Sequence, residues 1–516
     1  MDTVTKERIR ALERAKERLQ LGGGNDRIEK QHSAGKLSAR ERLALLLDRK
    51  SFREAGLFAK HNCRYFGMDG KELPADGVVT GRGRIGGRVV HVASQDFTVA
   101  GGSAGEVHAA KVSDIMKASL KTGSPFIFIN DSGGARVQEG VGSLAGYARI
   151  FYQNVMLSGV VPQISLICGP CAGGAAYSPA LTDFIIQTHD AQMFITGPAV
   201  IKQVTGEVVS SDELGGPRAQ MNKSGVAHFV AENDVEAANI CQRLLSFLPS
   251  NNLEEPPHTD PGPAPRDDDD LNGIVPADPK IDYDVTEIIK RVVDRSDFLE
   301  VQSGFARNLV VGFARIRGRA VGILANQPSV LAGALDIDGS DKGARFVRFC
   351  NAFNIPLITF VDIPGFLPGV DQEYRGIIRH GAKLLFAYSA ATVPKITVIL
   401  RKAYGGGYIA MCCKELGADC TLAWPSAEIA VMGAEAAVEV LFRHELAAAQ
   451  DNGSKRRDLI QQFSDTFATP YVAASQRLVD DIIEPAQTRA YLAEALESLA
   501  TKRDWRPQKK HGLIPL

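Results

Sequence analysis

Two glycine pairs, Gly173–Gly174 and Gly406–Gly407, each follow an apolar stretch that begins with Val-Pro and precede a stretch with a helical pattern. A strand that turns at Gly-Gly into a helix presents free backbone N–H groups at the helix N-terminus, where the helix dipole favours negative charge. Two such groups can form an oxyanion hole, and glycine permits unusual dihedral angles and the close approach of a ligand. The sequence therefore predicts two anion-stabilising turns, with close packing at the turns as the alternative interpretation.

Residue patterns typical of nucleophilic, metal or nucleotide chemistry do not accompany these turns. No histidine lies in a repeated motif, no G-x-S-x-G nucleophile elbow is present, and no cluster has the spacing of metal ligands. The sequence also has no GxxxxGK[ST] motif and no GxGxxG motif in the right context. It predicts no metal site. Two anion-stabilising turns without an obvious base suit enolate chemistry in which a substrate or a cofactor moves the proton.

The two turns belong to an internal duplication of the chain. Landmarks recur in the same order at an offset of 231 to 236 residues, which indicates one domain of about 200 residues present twice. These landmarks pair Gly81 with Gly312, Asp131 with Asp362, Pro162 with Pro394, Gly173 with Gly406 and Gly197 with Gly433.

The hydrophobic pattern predicts the elements that position the turns. Each copy begins with two apolar runs around a glycine-rich turn, RGRIGGR or ARIRGR, which predicts a β-hairpin. Short apolar runs such as FIFIND and PQISLIC then alternate with amphipathic stretches. This alternation predicts an α/β fold with parallel strands separated by helices.

The predicted domain organisation has an arm, two domains and a linker. Residues 1–48 have helical periodicity, and Ser38 with Glu41 forms a plausible capping box. The arm belongs to an N-terminal domain, 1–255. Residues 256–283 are rich in proline and aspartate and are predicted to form a linker, which leaves 284–516 as the C-terminal domain.

The composition of the chain argues against several classes of partner and location. The net charge of −1 and the lack of a basic patch with interleaved aromatics make nucleic acid an unfavoured partner. No window of 18 uninterrupted apolar residues and no signal-type apolar region are present, so the sequence predicts a cytoplasmic chain without a membrane span. The eight cysteines are scattered and are predicted to be reduced, buried thiols.

Several long motifs resemble the acyl-CoA carboxyltransferase family, and the resemblance covers almost the whole chain. Its branches include propionyl-CoA carboxylase β subunits, methylmalonyl-CoA decarboxylase α subunits and the methylmalonyl-CoA transcarboxylase core. The resemblance implies two crotonase-like domains and assembly as a hexamer. The motifs are GKLSARERLALLLD (35–48), DSGGARVQEG (131–140), GPCAGGAAYSPALTDF (169–184), RKAYGGGYIAM (401–411), AWPSAEIAVMG (423–433) and VDDIIEPAQTR (479–489).

The resemblance also implies a mechanism. Carboxybiotin on a separate carrier would enter a site between the N-domain of one subunit and the C-domain of another, opposite an acyl-CoA. The N–H groups of Gly173 and Gly174 would hold the thioester oxygen as it becomes an enolate. Those of Gly406 and Gly407 would hold the ureido oxygen of biotin, whose nitrogen takes the α-proton.

Further site residues follow from the same resemblance. Gly101, Gly102 and Ser103 match a loop near CoA, with an exposed turn as the alternative. Arg136 is a candidate CoA-binding residue that could face CoA phosphates, but a structural ion pair is the slightly preferred interpretation. Trp424 is predicted to be a core residue. Asp131 and Asp362 follow apolar strands at matching places and are predicted to be structural caps.

The motif at the predicted acyl pocket differs from the one found in many family members. Many family carboxylases read YGGAYD, whereas this chain reads YGGGYI, which places Tyr408 and Ile409 at the predicted pocket. Isoleucine changes the shape and polarity of that pocket. The preferred acyl chain stays open between acetyl and propionyl, because one methylene in an apolar pocket is worth only about 1–3 kcal/mol.

The resemblance implies partner subunits that supply biotin. The chain has no Ala-Met-Lys-Met biotinylation signal and no evident ATP-binding glycine loop, so biotin must come from a biotin carboxylase or biotin carboxyl carrier subunit. The leading hypothesis is the carboxyltransferase subunit of a biotin-dependent acyl-CoA carboxylase. The alternatives are a decarboxylase, whose membrane contact would come only through a partner, a transcarboxylase, and a crotonase-like hydrolase or scaffold.

Overall fold

The computed structural model describes residues 3–448 and 451–516, which divide into two compact units between Glu254 and Glu255. Each unit is built around one eight-stranded sheet. The strands of the first unit are β1 (Arg53–Ala55), β2 (Val78–Ile85), β3 (Arg88–Gln95), β4 (Phe126–Ser132), β5 (Gln163–Ala172), β6 (Phe184–Thr188), β7 (Gln192–Phe194) and β8 (Phe229–Ala231). Those of the second are β9 (Leu299–Val301), β10 (Leu309–Ile316), β11 (Arg319–Asn326), β12 (Leu357–Ile363), β13 (Lys395–Tyr404), β14 (Cys420–Ala423), β15 (Glu428–Ala430) and β16 (Asp481–Ile482).

Helices connect and cover the strands of both units. The helices of the first unit are α1 (Thr3–Gln20), α2 (Asn25–Ser33), α3 (Ala39–Leu46), α4 (Glu106–Thr122), α5 (Val141–Leu157), α6 (Gly174–Ala180), α7 (Pro198–Thr205), α8 (Ser211–Gly215), α9 (Pro217–Asn222) and α10 (Asp234–Phe247). Those of the second are α11 (Val285–Val292), α12 (Ile337–Ala352), α13 (Val370–Tyr374), α14 (Ile377–Ala390), α15 (Gly405–Ala410), α16 (Ala434–Leu441), α17 (Arg443–Ala448), α18 (Asn452–Phe467), α19 (Pro470–Ser475) and α20 (Thr488–Ser498). Short 3₁₀ turns lie at Pro74–Gly77, Ala100–Gly102, Val137–Glu139, Asp269–Gly273, Asp294–Ser296, Leu331–Gly333, Lys414–Leu416 and Pro485–Gln487.

The two sheets have the same strand order, which confirms the predicted duplication of an α/β domain. In the first, β1 to β6 are neighbours in sequence order, β8 follows β6, and β7 pairs with β5. In the second, β9 to β14 are neighbours, β16 follows β14, and β15 pairs with β13. The predicted hairpins are the antiparallel pairs β2–β3 and β10–β11, whereas β3–β4–β5 and β11–β12–β13 are parallel.

Parallel central strands require apolar residues on both faces. Every residue of β4 and of β12 is buried, as expected for strands covered on both sides by helices or loops. Trp424 lies in the core of the second unit with 1% of its surface exposed, which confirms its predicted core position. Its indole N–H donates a hydrogen bond of 2.9 Å to the hydroxyl of Thr488.

The N-terminal arm contains the predicted helices α1, α2 and α3. The predicted capping box is present at α3: the Ser38 hydroxyl accepts from the Glu41 N–H, and the Glu41 carboxylate accepts from the Ser38 N–H. The side chain of Leu43 is buried beneath this turn, so the cap fixes a helix that packs on the first unit.

Replacing Ser38 with Ala should loosen helix α3. Loss of an N-cap hydroxyl costs about 1 kcal/mol, which corresponds to roughly fivefold more frequent local opening of the helix. Amide hydrogen exchange across Ala39–Leu46 measures this, with Ser33→Ala as the control, since the Ser33 hydroxyl bonds only the preceding turn of α2. Equal exchange in both variants would show that the cap does not stabilise α3.

The predicted linker contributes to the core of the second unit. Leu271, in the 3₁₀ turn Asp269–Gly273, is 1% exposed and packs in the same core cluster as Val285. The chain divides at Glu254/Glu255. The domain limits 1–255, 256–283 and 284–516 themselves stay a prediction.

Two further sequence predictions concern the state of the cysteines and the presence of membrane-spanning helices. All eight cysteines are free, and seven of them are buried. Over the residues that the structure describes, no helix combines the length and the apolar character needed to cross a membrane.

Candidate active site

Three loops meet where the central parallel strands of the first unit end. β3, β4 and β5 are adjacent and parallel, so their carboxyl ends lie at one edge of the sheet. β3 leads to the 100–104 loop, β4 leads to the 133–140 loop, and β5 leads to the glycine turn before α6. The first two loops pair through a bridge between Ala104 and Ala135. The second unit repeats this pairing between Leu335 and Phe366.

The glycine turn of the first unit has one residue in the left-handed region. Gly173 has φ 62° and joins β5 to α6. Its N–H donates to the carbonyl of Phe194 at 3.0 Å, and its carbonyl accepts from the N–H of Ala176 at 3.1 Å. The N–H groups of a first helical turn have no intrahelical acceptor. Gly174 and Ala175 therefore carry the two N–H groups available to an anion.

The second unit has the same turn one residue earlier than the sequence comparison suggested. The pairing of β5 with β7 ends at Ala172 and Phe194, and that of β13 with β15 ends at Tyr404 and Ala430. The next residue of the second unit, Gly405, has φ 54°, as Gly173 has in the first.

Gly405 is therefore the structural counterpart of Gly173, and the predicted pairing of Gly173 with Gly406 is wrong by one residue. Three consecutive glycines left the register ambiguous in sequence, and the positive φ resolves it. Gly406 and Gly407 correspond to Gly174 and Ala175. The predicted use of the Gly173 N–H is corrected with it, because that group is already bonded to Phe194.

The space around the turn glycines differs between positions. A Cβ on Gly406 would meet only the ring of Phe366, at 3.6 Å. A Cβ on Gly407 would lie 2.8 Å from Cδ1 of Ile363 and 2.9 Å from the Cα of Gly365. Gly407 therefore packs closely against the loop after β12, whereas Gly406 is exposed.

The 100–104 loop is held by its own turn and by the end of β4. Gly101 and Gly102 have φ of 63° and 62°, and a Cβ on Gly102 would meet the carbonyl of Asp131 at 2.2 Å. The Ser103 hydroxyl donates to the Ala100 carbonyl at 2.8 Å, and the Ser132 hydroxyl donates to the Gly102 carbonyl at 2.7 Å. Glycine at 102 is thus required by close packing of one backbone on another.

Arg136 lies inside the protein, with 1% of its side chain exposed. Its guanidinium pairs with Asp76 at 2.5 Å and with Glu139 at 2.8 Å, and it donates to the Ser103 carbonyl at 2.7 Å. The structural ion pair, which the sequence analysis slightly preferred, is the arrangement found. The guanidinium is used by protein acceptors rather than presented to a CoA phosphate, and it holds the 100–104 loop through Ser103. Burial raises the pKa of Asp76, and Arg136 opposes this rise.

Asp131 and Asp362 are centres of buried ion pairs rather than the predicted caps. The carboxylate of Asp131 pairs with Lys36 and Arg42 of the arm, each at 2.8 Å. That of Asp362 pairs with Arg401 at 2.9 Å and accepts from the Tyr283 hydroxyl at 3.0 Å. Burial raises the pKa of Asp362, and the Arg401 charge opposes the rise. In the sequence, only the matching positions of the two aspartates in the duplication pointed to a shared role. The cations that pair with them come from segments that do not correspond in the two units.

Two buried lysines were missed by the sequence reasoning. Lys111 donates to the carbonyls of Ala75 and Val78, and Lys342 donates to those of Gln302 and Phe305. Burial lowers the pKa of each to about 8. They lie 231 residues apart, at the offset of the duplication, which was the one signal that could have found them.

The predicted acyl-pocket residues follow the second glycine pair in α15. The side chain of Ile409 is 44% exposed, on the first turns of the helix. The Tyr408 hydroxyl is buried, and no hydrogen-bond partner for it is found among the described residues. Burial raises the pKa of this phenol.

Known proteins resemble this chain over its whole length. The carboxyl transferase domain model matches residues 30–514. The methylmalonyl-CoA carboxyltransferase 12S subunit of Propionibacterium freudenreichii subsp. shermanii is 60% identical over 508 residues, covering 98% of this chain and 97% of that protein. The propionyl-CoA carboxylase carboxyltransferase subunit of Haloferax mediterranei is 54% identical over 512 residues, covering 99% of both.

A decarboxylase relative and a solved structure complete the comparison. The methylmalonyl-CoA decarboxylase α subunit of Veillonella parvula is 54% identical over 518 residues, covering 100% of both proteins. The crystal structure of transcarboxylase 12S with methylmalonyl-coenzyme A and methylmalonic acid bound has a TM-score of 0.98 and 59% identity, covering 100% of this chain and 99% of that one. With its duplicated sheets and glycine turns, this chain belongs to the carboxyl transferase domain family, whose members include acyl-CoA carboxyltransferases.

Proposed function

We propose that this chain is the carboxyltransferase subunit of a biotin-dependent acyl-CoA carboxylase, with a short acyl-CoA, propionyl-CoA or acetyl-CoA, as the acceptor. The observation that carries the proposal is the duplicated turn, in which a left-handed glycine places two N–H groups at the end of a central strand in each unit. The relatives named for propionyl-CoA and methylmalonyl-CoA support the acyl-CoA class.

We assign the binding of the acyl-CoA thioester group to the first unit. The N–H groups of Gly174 and Ala175 donate to the thioester oxygen, which gains negative charge as the α-proton leaves and an enolate forms. Preorganised donors of this kind stabilise charge that develops in the transition state more than they stabilise the ground state. The 100–104 loop, with Gly101, Gly102 and Ser103, is assigned to CoA through its backbone and the Ser103 side chain, since Arg136 is occupied by protein partners.

The second unit is assigned biotin, which we expect on a carrier subunit. The residues fit this group, because Gly406 is exposed at its turn and, with Gly407, offers two N–H donors to one ureido oxygen. When bound, biotin supplies a ring nitrogen from which the carboxyl group moves to the α-carbon and to which the α-proton moves in exchange. Donation from Gly406 and Gly407 stabilises the negative charge on the ureido oxygen as the carboxyl group departs.

The reverse direction is the second candidate function. The relative at 60% identity is named a methylmalonyl-CoA carboxyltransferase 12S subunit, and two relatives at 54% are named for opposite directions of carboxyl transfer. The same residues serve both directions, because the transition states are shared. The transcarboxylase 12S of known structure assembles as a hexamer, and we propose the same assembly for this chain. We also propose that Tyr408 and Ile409 line the acyl pocket.

The proposal is tested by CO₂ release from methylmalonyl-CoA by the purified chain. Free biotin should increase the release at least about tenfold, because its ring nitrogen accepts the carboxyl group and gives up the proton that moves to the α-carbon. Release of free CoA without biotin would instead indicate a hydrolase. No biotin-dependent release with either methylmalonyl-CoA or malonyl-CoA, a biotin carrier included, would refute the carboxyltransferase assignment.

A further inference from the structure

Tyr177 lies three residues after Gly174 in α6, so both residues are on one face of the helix. Helical side chains lean towards the helix N-terminus, which directs Tyr177 over the first turn and its N–H groups. The matching strand pairs make Ile409, three residues after Gly406, the counterpart of Tyr177 in the second unit. The duplication thus places an exposed, largely apolar side chain at the same point of both half-sites.

The ring of Tyr177 is held by an aromatic row. It packs edge-on against Phe151, with centroids 6.1 Å apart and planes at 77°. Phe151 in turn contacts Tyr147 at 5.9 Å. Tyr147 is 4% exposed and lies beneath Gly174, whose Cβ would meet its ring at 3.3 Å. Tyr177, at the outer end of the row, is 51% exposed.

The row holds the Tyr177 ring at a defined position in the helix that begins at the glycine turn, and this exposed ring is called the wall below. Phe151 anchors the ring from behind, which limits its ability to move aside for a larger ligand. A half-exposed aromatic ring beside two N–H donors offers an apolar surface to a group attached next to the anionic oxygen.

We propose that Tyr177 is a specificity-determining residue that contacts the substituent on the α-carbon of the acyl thioester. The inference rests on the proposed function, because it takes the thioester oxygen to lie at Gly174 and Ala175. An apolar wall of this kind discriminates by size, and one methylene in such a pocket changes kcat/KM by about 10- to 200-fold.

Tyr177→Ala, Tyr177→Phe and Tyr152→Ala are compared in biotin-dependent CO₂ release from methylmalonyl-CoA and from ethylmalonyl-CoA. Tyr177→Ala should raise the ratio of kcat/KM for ethylmalonyl-CoA over methylmalonyl-CoA by about tenfold or more. Tyr177→Phe keeps the ring and should leave that ratio within about twofold. Tyr152, 60% exposed on α5, is the control, because it lies outside the aromatic row and its removal should not alter the ratio.

The ratio of kcat/KM values distinguishes an apolar contact between Tyr177 and the substrate from other roles of this residue. An unchanged ratio in an assembled, active Tyr177→Ala variant would overturn the proposal, as would an equal shift in Tyr177→Phe, which would assign the effect to the hydroxyl. A change confined to the KM for biotin would also overturn it, since Tyr177 would then face the other reactant. If the unaltered protein releases no CO₂ with biotin, the proposed function fails before Tyr177 is tested. Light scattering verifies that each variant keeps the assembly of the unaltered protein.

Discussion

Gly406→Pro should lower biotin-dependent CO₂ release by about 100- to 1,000-fold, because it removes one of the two N–H donors assigned to the ureido oxygen. Proline is tolerated in the first turn of a helix, where its missing N–H breaks no intrahelical bond. Gly406 lies in helix α15 and is not among the glycines with a positive φ, so its backbone conformation is of the kind that proline adopts. The loss is therefore expected in kcat, measured at saturating methylmalonyl-CoA and biotin.

Gly406→Ala is the matched control for this variant. It adds the same Cβ, whose nearest contact is the Phe366 ring at 3.6 Å, but retains the N–H. Most of the activity should survive. If Ala and Pro lower the rate equally, the effect is steric and the turn does not act as an anion site.

The first unit permits the same comparison. Gly174→Pro and Gly174→Ala share the Cβ contact with Tyr147 at 3.3 Å and differ in the N–H. The Pro variant should lose at least about 100-fold more activity than the Ala variant. Equal loss in both would remove the support for Gly174 as a donor to the thioester oxygen.

Arg136→Met should destabilise the first unit by about 3–5 kcal/mol, because removing one partner of a buried ion pair leaves an uncompensated charge. Asp76, whose side chain is fully buried, and Glu139, at 7% exposure, would both lose their cation. The measurement is urea unfolding followed by circular dichroism, with both proteins at one concentration, since assembly makes stability concentration-dependent.

The destabilisation should depend on pH in a defined sense. Burial already raises the pKa of Asp76, and loss of Arg136 removes the charge that opposes the rise. The variant's folded state then binds a proton more readily than its unfolded state, so its deficit should shrink as the pH falls from about 8 to about 5. An Arg136→Met/Asp76→Asn double variant should recover part of the loss at about pH 8. A deficit that does not change with pH, or no recovery in the double variant, would show that lost packing, not charge, is the cause.

Much of the fold was predictable because it depends on local patterns. Alternating apolar runs and amphipathic stretches predicted the α/β units, and the glycine-rich turns predicted both hairpins, β2–β3 and β10–β11. The Ser38–Glu41 capping box needs only residues three apart, so it too was predictable. The motifs that resemble the family extend over most of the chain, and the duplication is visible as a constant offset.

Residues whose role depends on distant partners were not predictable. Arg136 could have faced solvent or the interior, and only the convergence of Asp76, Ser103 and Glu139 on its guanidinium decided this. The cation opposite Asp131 comes from the arm, about 90 residues earlier in the chain, whereas Asp362 takes its cation from β13. A matching pair of aspartates in the sequence does not reveal which cations fold against them.

By itself, the sequence determined the duplicated α/β architecture, the strand-to-helix glycine turns and the family. These depend on hydrophobic periodicity and on residues close together along the chain. Tertiary structure alone decided the register at Gly405, the bonding of the Gly173 N–H, which leaves Gly174 and Ala175 as the proposed donors, and the aromatic row that holds Tyr177. The physical reason is that a backbone N–H is free or bonded according to which strand lies next to it, and the strand that takes the Gly173 N–H contributes Phe194, 21 residues away.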